Sequence, residues 1–361
     1  MIISRTPFRV SFLGGGTDYP SWYRQHGGAV LASTINKYCY ITCRHLPPFH
    51  EHQIRLVYSK IENCHSIDEI KHPSVRETLR YLGLVRNLEI HHDADLPARC
   101  GMGSSSSFTV GLLNALRALQ GKMTSRKDLM VESIHIEQDL VKETVGSQDQ
   151  ALAAYGGLNH IDFSPNGEIS VRPLTLSAER VSDFSDHMML FYTGIKRTAS
   201  DVAKDYVSDI DKKKAQLRIL RQLVEEGMSL LASGQDLAAF GELLHEAWQI
   251  KRSLSAKTTN DEVDAVYELA RNAGAIGGKL TGAGGGGFML LCVPPDRHQS
   301  VKDALSDRIH VPFQFDMSGS QIIFYDPEED YSAEEAERAK GPRHVFKELS
   351  EIQNSGDEPA S

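Results

Sequence analysis

Pro97-Ala98-Arg99-Cys100-Gly101-Met102-Gly103-Ser104-Ser105-Ser106-Ser107 is the stretch on which the reading of this chain turns. Before it runs a strand-like segment, Leu88 to His92. After it comes a helical pattern with Phe108, Leu112, Leu113, Leu116 and Leu119 on one face. Glycines let the backbone approach a ligand closely, and a helix opening after Gly103 offers free N–H groups and the positive end of its dipole. Together these make an anion site. The dipole contributes only about 0.3–1 kcal/mol at an exposed position, so hydroxyls and a metal ion have to assist. The loop is not a Walker loop, because the Gly-Lys-Ser/Thr ending is missing. Ser104 to Ser107 are expected to supply capping hydroxyls. Taken alone, the stretch fits a tight turn and an ordinary serine cap equally well.

Working outward, a second glycine run, Gly277 to Gly287 (Gly-Gly-Lys-Leu-Thr-Gly-Ala-Gly-Gly-Gly-Gly), leads into the strand Phe288 to Val293. Ordering so many glycines costs much backbone entropy, and linkers seldom run straight into a core strand. The spacing therefore predicts a close backbone approach to a ligand or to the first loop. A third segment, Arg5 to Tyr19, sets Arg5 and Arg9 before Gly14-Gly15-Gly16 and Asp18 after it. By itself it reads as a strand and a solvated turn. Finally, Glu137 and Asp149 stand 149 − 137 = 12 positions apart, around Lys142 to Gln148. Phosphoryl transfer needs Mg²⁺ on phosphate oxygens and a carboxylate at the acceptor hydroxyl, and such a pair can take those roles.

The rest of the chain is consistent with an α+β protein of two lobes and a cleft. Strands are expected over Ile2 to Leu13, Tyr38 to Arg44, Gln53 to Tyr58 and His187 to Tyr192. A helix opens at Ser125 with Asp128 at the capping position and runs on through Glu137 and Leu140. Further helices fall near residues 212–232, 237–253 and 261–272. The 361 residues divide into an N-terminal lobe over 1–185, a C-terminal lobe over 186–330 and a charged tail over 331–361 whose end is expected to be disordered. A formal charge of −9 argues against nucleic acid or anionic membrane as partner. No apolar run approaches the roughly 20 residues of a membrane helix. Five scattered cysteines fit a reduced, cytoplasmic protein. Cys39, Cys43 and His45 share one strand face, but three ligands without a fourth make a poor zinc site, and buried thiols are the better account.

These segments, in this order, resemble the three motifs of the GHMP kinases (galactokinase, homoserine kinase, mevalonate kinase, phosphomevalonate kinase) over roughly residues 1 to 325. The resemblance implies a lobe like ribosomal protein S5 domain 2, then a ferredoxin-like lobe, with ATP in the cleft. It implies that Gly101, Gly103, Ser104, Ser105 and Ser106 wrap the ATP phosphates, and that Glu137 holds Mg²⁺ together with Ser105 or Ser104. Asp149 matches the catalytic aspartate of galactokinase, and Arg9 the cation beside it. By this likeness Asp149 would orient or deprotonate the acceptor hydroxyl, with Arg9 offsetting charge on the transferring group.

Galactokinase has Glu-His where this chain has Gly15-Gly16, which leaves room near the sugar and changes specificity. Asp18 and Gly16 are expected at the sugar. The motifs look most like the D-glycero-D-manno-heptose 7-phosphate kinase branch, whose enzymes phosphorylate the anomeric hydroxyl. A phosphorylated substrate wants cations, for which Lys196, Arg197 and Arg172 are candidates. A kinase for an unphosphorylated sugar of the fucose or arabinose type is the alternative, and a binding sensor that has lost catalysis a further one. The expected partners are ATP and a sugar or sugar phosphate, and the expected state a monomer or homodimer.

Overall fold

Strand β1 (Ile2–Leu13) is buried along nearly its whole length. A strand covered on both faces needs a layer on each side, and the chain supplies them from distant segments. Its main neighbour is β2 (Gly28–His45), eighteen residues long and antiparallel to it. The far edge of β2 is shared: its first half pairs with β6 (Leu158–Phe163), its second with β5 (Leu88–Ala94). Beyond β5 come β3 (Ile54–Val57) and β4 (Ile61–Cys64), and β7 (Ile169–Pro173) extends β6. The computed structural model describes residues 1–195 and 213–326 apart from positions 48, 86, 99, 256 and 283, together with 331, 337 and 340.

Helix α3 (Ser104–Leu119) lies across β1 and β2, with α1 (Pro20–His26) and α2 (Pro73–Leu82) preceding it. Ser4 Oγ donates to the Gly111 carbonyl at 2.8 Å, so helix and strand nearly touch there. Two corrections concern helix ends. The serines after Gly103 do not cap α3: its N-cap is Gly103 in the left-handed region, with no side-chain cap bond, and Ser104 to Ser107 are already helical. The next helix, α4 (Arg126–His135), is capped by Ser125 as expected, but it does not run straight on. It widens into a π-helical turn over Ile136–Leu140, marked by Val141 N–H donating to the Ile136 carbonyl at 2.8 Å. A short helix, α5 (Gln148–Tyr155), follows.

After α6 (Ala178–Asp186), a second, antiparallel sheet forms in the order β11 (Ile309–His310), β8 (Met188–Tyr192), β10 (Phe288–Cys292), β9 (Gly277–Leu280). Against it pack α8 (Ala238–Leu254) and α9 (Asp261–Asn272), closing a core around Trp248 and Tyr267; α10 (His298–Ala304) adds Val301. Helix α7 (Lys214–Ala232) instead packs on β1 and β2, joining the lobes. The chain then returns to the first sheet: β12 (Phe315–Asp316) pairs with β2, and β13 (Gln321–Tyr325) with β1. Residues 315–325 therefore add to the sheet of the N-terminal lobe, though they follow the second one in sequence. The tail from 331 and its expected disorder lie almost wholly outside the described residues. Cys39, Cys43, Cys64, Cys100 and Cys292 are buried free thiols.

Candidate active site

The two glycine segments meet back to back. A Cβ on Gly101 would come within 2.6 Å of the Thr281 carbonyl oxygen, and one on Gly282 within 2.5 Å of the Gly101 Cα. Gly101 and Gly103 also hold φ of +79° and +74°, a region that favours glycine, so the loop needs both for shape as well as closeness. The expectation of a close approach between the first and second runs is what the fold shows. Lys251, on α8, stitches the seam by donating its ammonium to the Leu280 carbonyl at 3.2 Å and to that of Gly282.

Arg9 sits at the lip of this loop. Its Nε and Nη2 donate to the two Asp149 carboxylate oxygens at 2.7 and 2.8 Å, and Nη1 donates to the Gly101 carbonyl at 2.6 Å. One guanidinium thus holds the carboxylate and the glycine loop in a fixed relation, using the fork geometry that only arginine has. The Arg9 side chain is 6% exposed, whereas that of Asp149 is 24% exposed and open to a ligand. Gly103 closes the triangle: a Cβ there would stand 3.1 Å from Arg9 Cγ and 3.5 Å from Asp149 Oδ2.

Asp149 stands at the start of α5 between two glutamines that serve two other carboxyl groups. Successive helical side chains point about 100° apart. Gln148 Nε2 donates to Asp18 Oδ2 at 2.9 Å, Asp149 turns to Arg9, and Gln150 Nε2 donates to Glu137 Oε2. Asp18 is buried, and its other oxygen accepts from the Gly16 N–H at 2.9 Å. Burial, and then the nearby Asp149 charge, raise its carboxyl above the ordinary range.

Glu137 lies on the π-helical turn, fully buried, and pairs with no cation among the described residues. Ser106 Oγ donates to it at 2.8 Å and the more exposed Ser105 Oγ at 3.4 Å. Burial pushes its carboxyl up to about 7, only partly offset by bonds from Ser106, Thr109 and Gln150. A buried carboxylate with hydroxyl oxygens beside it and no countercharge fits a hard divalent cation. No group of three His, Cys, Asp or Glu gathers among the described residues, so protein would supply few of its ligands. That is the usual situation for an ion carried in on phosphates.

The structure thus brings together Arg9, Gly16, Asp18, Gly101, Gly103, Ser105, Ser106, Glu137 and Asp149, with Ser104 opening α3 beside them. Arg172 stands apart on β7, its Nη2 3.3 Å from His160 Nδ1. Lys196 and Arg197 lie outside the described residues. Reading the sequence missed the two glutamines, although they flank Asp149. It also missed two lysines. Lys279, inside the second glycine run, is buried and donates to the Phe12 carbonyl at 2.9 Å. Lys251, one cation on an amphipathic helix, carries no signal in the sequence; burial and the Arg9 charge bring its ammonium down to about 8.

Residues 70–157 match the GHMP kinases N terminal domain, and residues 220–310 match the GHMP kinases C terminal domain. The chain belongs to the GHMP kinase family. Among the relatives of this GHMP kinase is the D-glycero-alpha-D-manno-heptose 7-phosphate kinase of Campylobacter jejuni, 25% identical over 320 residues, which cover 84% of this chain and 93% of that one. The L-fucokinase/L-fucose-1-P guanylyltransferase of Bacteroides fragilis is 26% identical over 343 residues, covering 84% of this chain but only 35% of that longer protein. A crystal structure of a D-glycero-D-manno-heptose 1-phosphate kinase from Bacteroides thetaiotaomicron shares the fold with a TM-score of 0.73, at 24% identity and covering 90% and 99% of the two chains. The chain is therefore a phosphotransferase, a sugar kinase of this family. Among its described residues no helix is long and apolar enough to cross a membrane.

Proposed function

We propose that this GHMP kinase transfers the γ-phosphoryl group of ATP to the anomeric hydroxyl of D-glycero-D-manno-heptose 7-phosphate. The observation that carries the transfer is the Arg9–Asp149 pair anchored to the Gly101 carbonyl. It sets a partly open carboxylate and a guanidinium beside the glycine loop. The heptose phosphate is supported by the Campylobacter jejuni relative and by the absence of side chains at Gly15 and Gly16.

In this reading Gly101, Gly103, Ser104, Ser105 and Ser106 cradle the ATP phosphates. Asp149 orients the acceptor O–H and takes its proton as the anomeric oxygen bonds to the γ-phosphorus. The bond from that phosphorus to the bridging oxygen breaks, ADP leaves, and the proton passes from Asp149 to solvent. Arg9 offsets the negative charge on the moving group, which in a loose transition state is the main electrostatic demand. Ser105 and Glu137 would hold Mg²⁺, which neutralises phosphate charge when bound. Asp18 and the Gly16 backbone face the sugar, and Lys196 and Arg197 are the candidates for its 7-phosphate.

The test is ADP release from Mg·ATP across free sugars and sugar phosphates, with Asp149→Asn as control. Turnover with the heptose 7-phosphate that the variant loses is expected. Turnover confined to fucose-type or other unphosphorylated sugars would keep the kinase and reject the phosphate pocket.

A further inference from the structure

Lys251 and Lys279 are cations of the cleft that the chemistry above leaves unused. Neither pairs with a carboxylate among the described residues, and each places its ammonium on backbone carbonyls instead. Lys279, 4% exposed, ties β9 to the Phe12 carbonyl of β1. Lys251 reaches the Leu280 carbonyl at 3.2 Å and also that of Gly282, which has no other donor among the described residues. Burial and then neighbouring cations (Arg9 for Lys251, Lys251 and Arg9 for Lys279) hold both ammonium groups below the ordinary lysine range. Like charges crowded without a countercharge cost stability, so tightness of the fold does not account for them.

From Lys251 an unbroken series of contacts leads to Asp149. Gly282, whose carbonyl Lys251 holds, packs so closely that a Cβ on it would stand 2.5 Å from the Gly101 Cα. The adjoining Thr281 carbonyl oxygen would lie 2.6 Å from a Cβ on Gly101. The Gly101 carbonyl accepts from Arg9 Nη1 at 2.6 Å, and the same guanidinium holds both Asp149 oxygens at 2.7 and 2.8 Å. Each link is a hydrogen bond or backbone packed on backbone, and close-packed groups pass a displacement on rather than absorb it. Without Lys251 the Gly282 carbonyl would have to turn toward another donor, and Gly101 would move with it.

We infer that Lys251 is a positioning residue for phosphoryl transfer: from the second lobe it fixes the Gly282 carbonyl, and through Gly101 and Arg9 it sets the Asp149 carboxylate toward the acceptor hydroxyl. The inference rests on the reading of Asp149 as the group that meets that hydroxyl. A misplacement of about 1 Å at the reacting groups can cost about 100-fold in rate, so a residue several contacts removed can govern the step.

A double-mutant cycle on kcat tests this, with Mg·ATP and the best acceptor of the unaltered chain both saturating, and thermal unfolding followed in parallel. Lys251→Met keeps the length of the side chain and removes its donors, and kcat is expected to fall about 10- to 100-fold. In the Arg9→Lys background, where the link to the Gly101 carbonyl is already cut, the same change should cost less than about threefold. Equal factors in the two backgrounds would mean that Lys251 acts on the fold or on the phosphates by itself, and would overturn the positioning role. So would a kcat for Lys251→Met within about twofold of the unaltered chain. Should Lys251→Met not fold, Lys251→Gln, whose amide nitrogen stops one atom short of the ammonium, takes its place under the same two criteria. A loss under about tenfold in Asp149→Asn would instead sink the reading of Asp149 as the base, and the role of Lys251 with it.

Discussion

Asp149 and Glu137 are carboxylates of one cleft, bound through neighbouring residues of the same helix, yet their surroundings are opposite. Asp149 receives two charged hydrogen bonds from Arg9 and keeps a quarter of its side chain open. Glu137 is fully buried among serine hydroxyls and a glutamine amide, with no cation in reach among the described residues. The first has its countercharge built in, and both its oxygens are held by one guanidinium. The second is assembled short of a positive charge, and its ordinary ionised state has to be completed from outside. In the proposed function the resident ion pair serves the chemical step, and the carboxylate without one is where a cation would bind.

Breaking the Asp149 side should have the largest effect. Asp149→Asn keeps the shape and one of the two Arg9 hydrogen bonds but removes the negative charge and the proposed proton acceptor, and kcat should fall about 10²–10⁴-fold while the chain still folds. A loss under about tenfold would move the base elsewhere.

Next comes the charge on Glu137. Its carboxyl is raised to about 7 by burial, so between about 4.5 and 7 the folded chain binds more protons than the unfolded one. The sign follows: this group's favourable contribution is complete below about 4.5 and is lost as pH rises through about 7, a change on the order of 3 kcal/mol. Without divalent cations, Glu137→Gln should flatten this fall in stability between pH 5 and pH 8. Adding Mg²⁺ at pH 8 should stabilise the unaltered chain and not the variant. Denaturant titrations giving parallel pH curves for both would contradict it.

A smaller effect sharpens the Asp149 side. Arg9→Lys keeps the charge but loses the fork that joins Asp149 to the Gly101 carbonyl, so kcat should fall roughly 10- to 100-fold without loss of fold. An unchanged kcat would reduce Arg9 to a point charge. Smallest is Ser106→Ala, which deletes the 2.8 Å bond to Glu137 and should cost about 1 kcal/mol at pH 8, read by chemical unfolding. Ser105→Ala, at 3.4 Å, should cost less without Mg²⁺; the reverse order would exchange the two serines.

How much of this was legible in the sequence depended on how local each feature is. Strand β1 emerged at its observed ends because its alternating pattern stops at a glycine turn, and the helices of the second lobe stood out as long helical stretches. The first half of β2 did not, since Gly28 to Ile35 shows no alternation, and its small and hydroxyl residues are buried only because β1 and β6 flank them. Strands β12 and β13 were hidden for the same reason: their partners lie some 280 to 320 residues back in the chain. In the site, the glycine loops and acidic residues stood out as motifs. The partners that tune them did not. Gln148 and Gln150 become meaningful only once α5 turns them apart, and Lys251 only once α8 meets the Gly282 carbonyl. The π-helical turn at Glu137 leaves no pattern, because one extra residue in a helical turn shifts a face without changing composition.

The pairing of β13 with β1 brings the two ends of the described fold to one place. The Met1 ammonium donates to the Asp326 carbonyl at 2.6 Å, and the Asp326 N–H donates to the Met1 carbonyl at 3.0 Å. Order along the chain is thereby separable from arrangement in space. A few residues joining position 326 to position 1 would close the fold into a ring, which could be reopened at the exposed turn around Met123, between α3 and α4. The Gly101–Gly103 loop and Asp149 would then fall on opposite sides of the new termini, with the cleft between the lobes held by the same contacts.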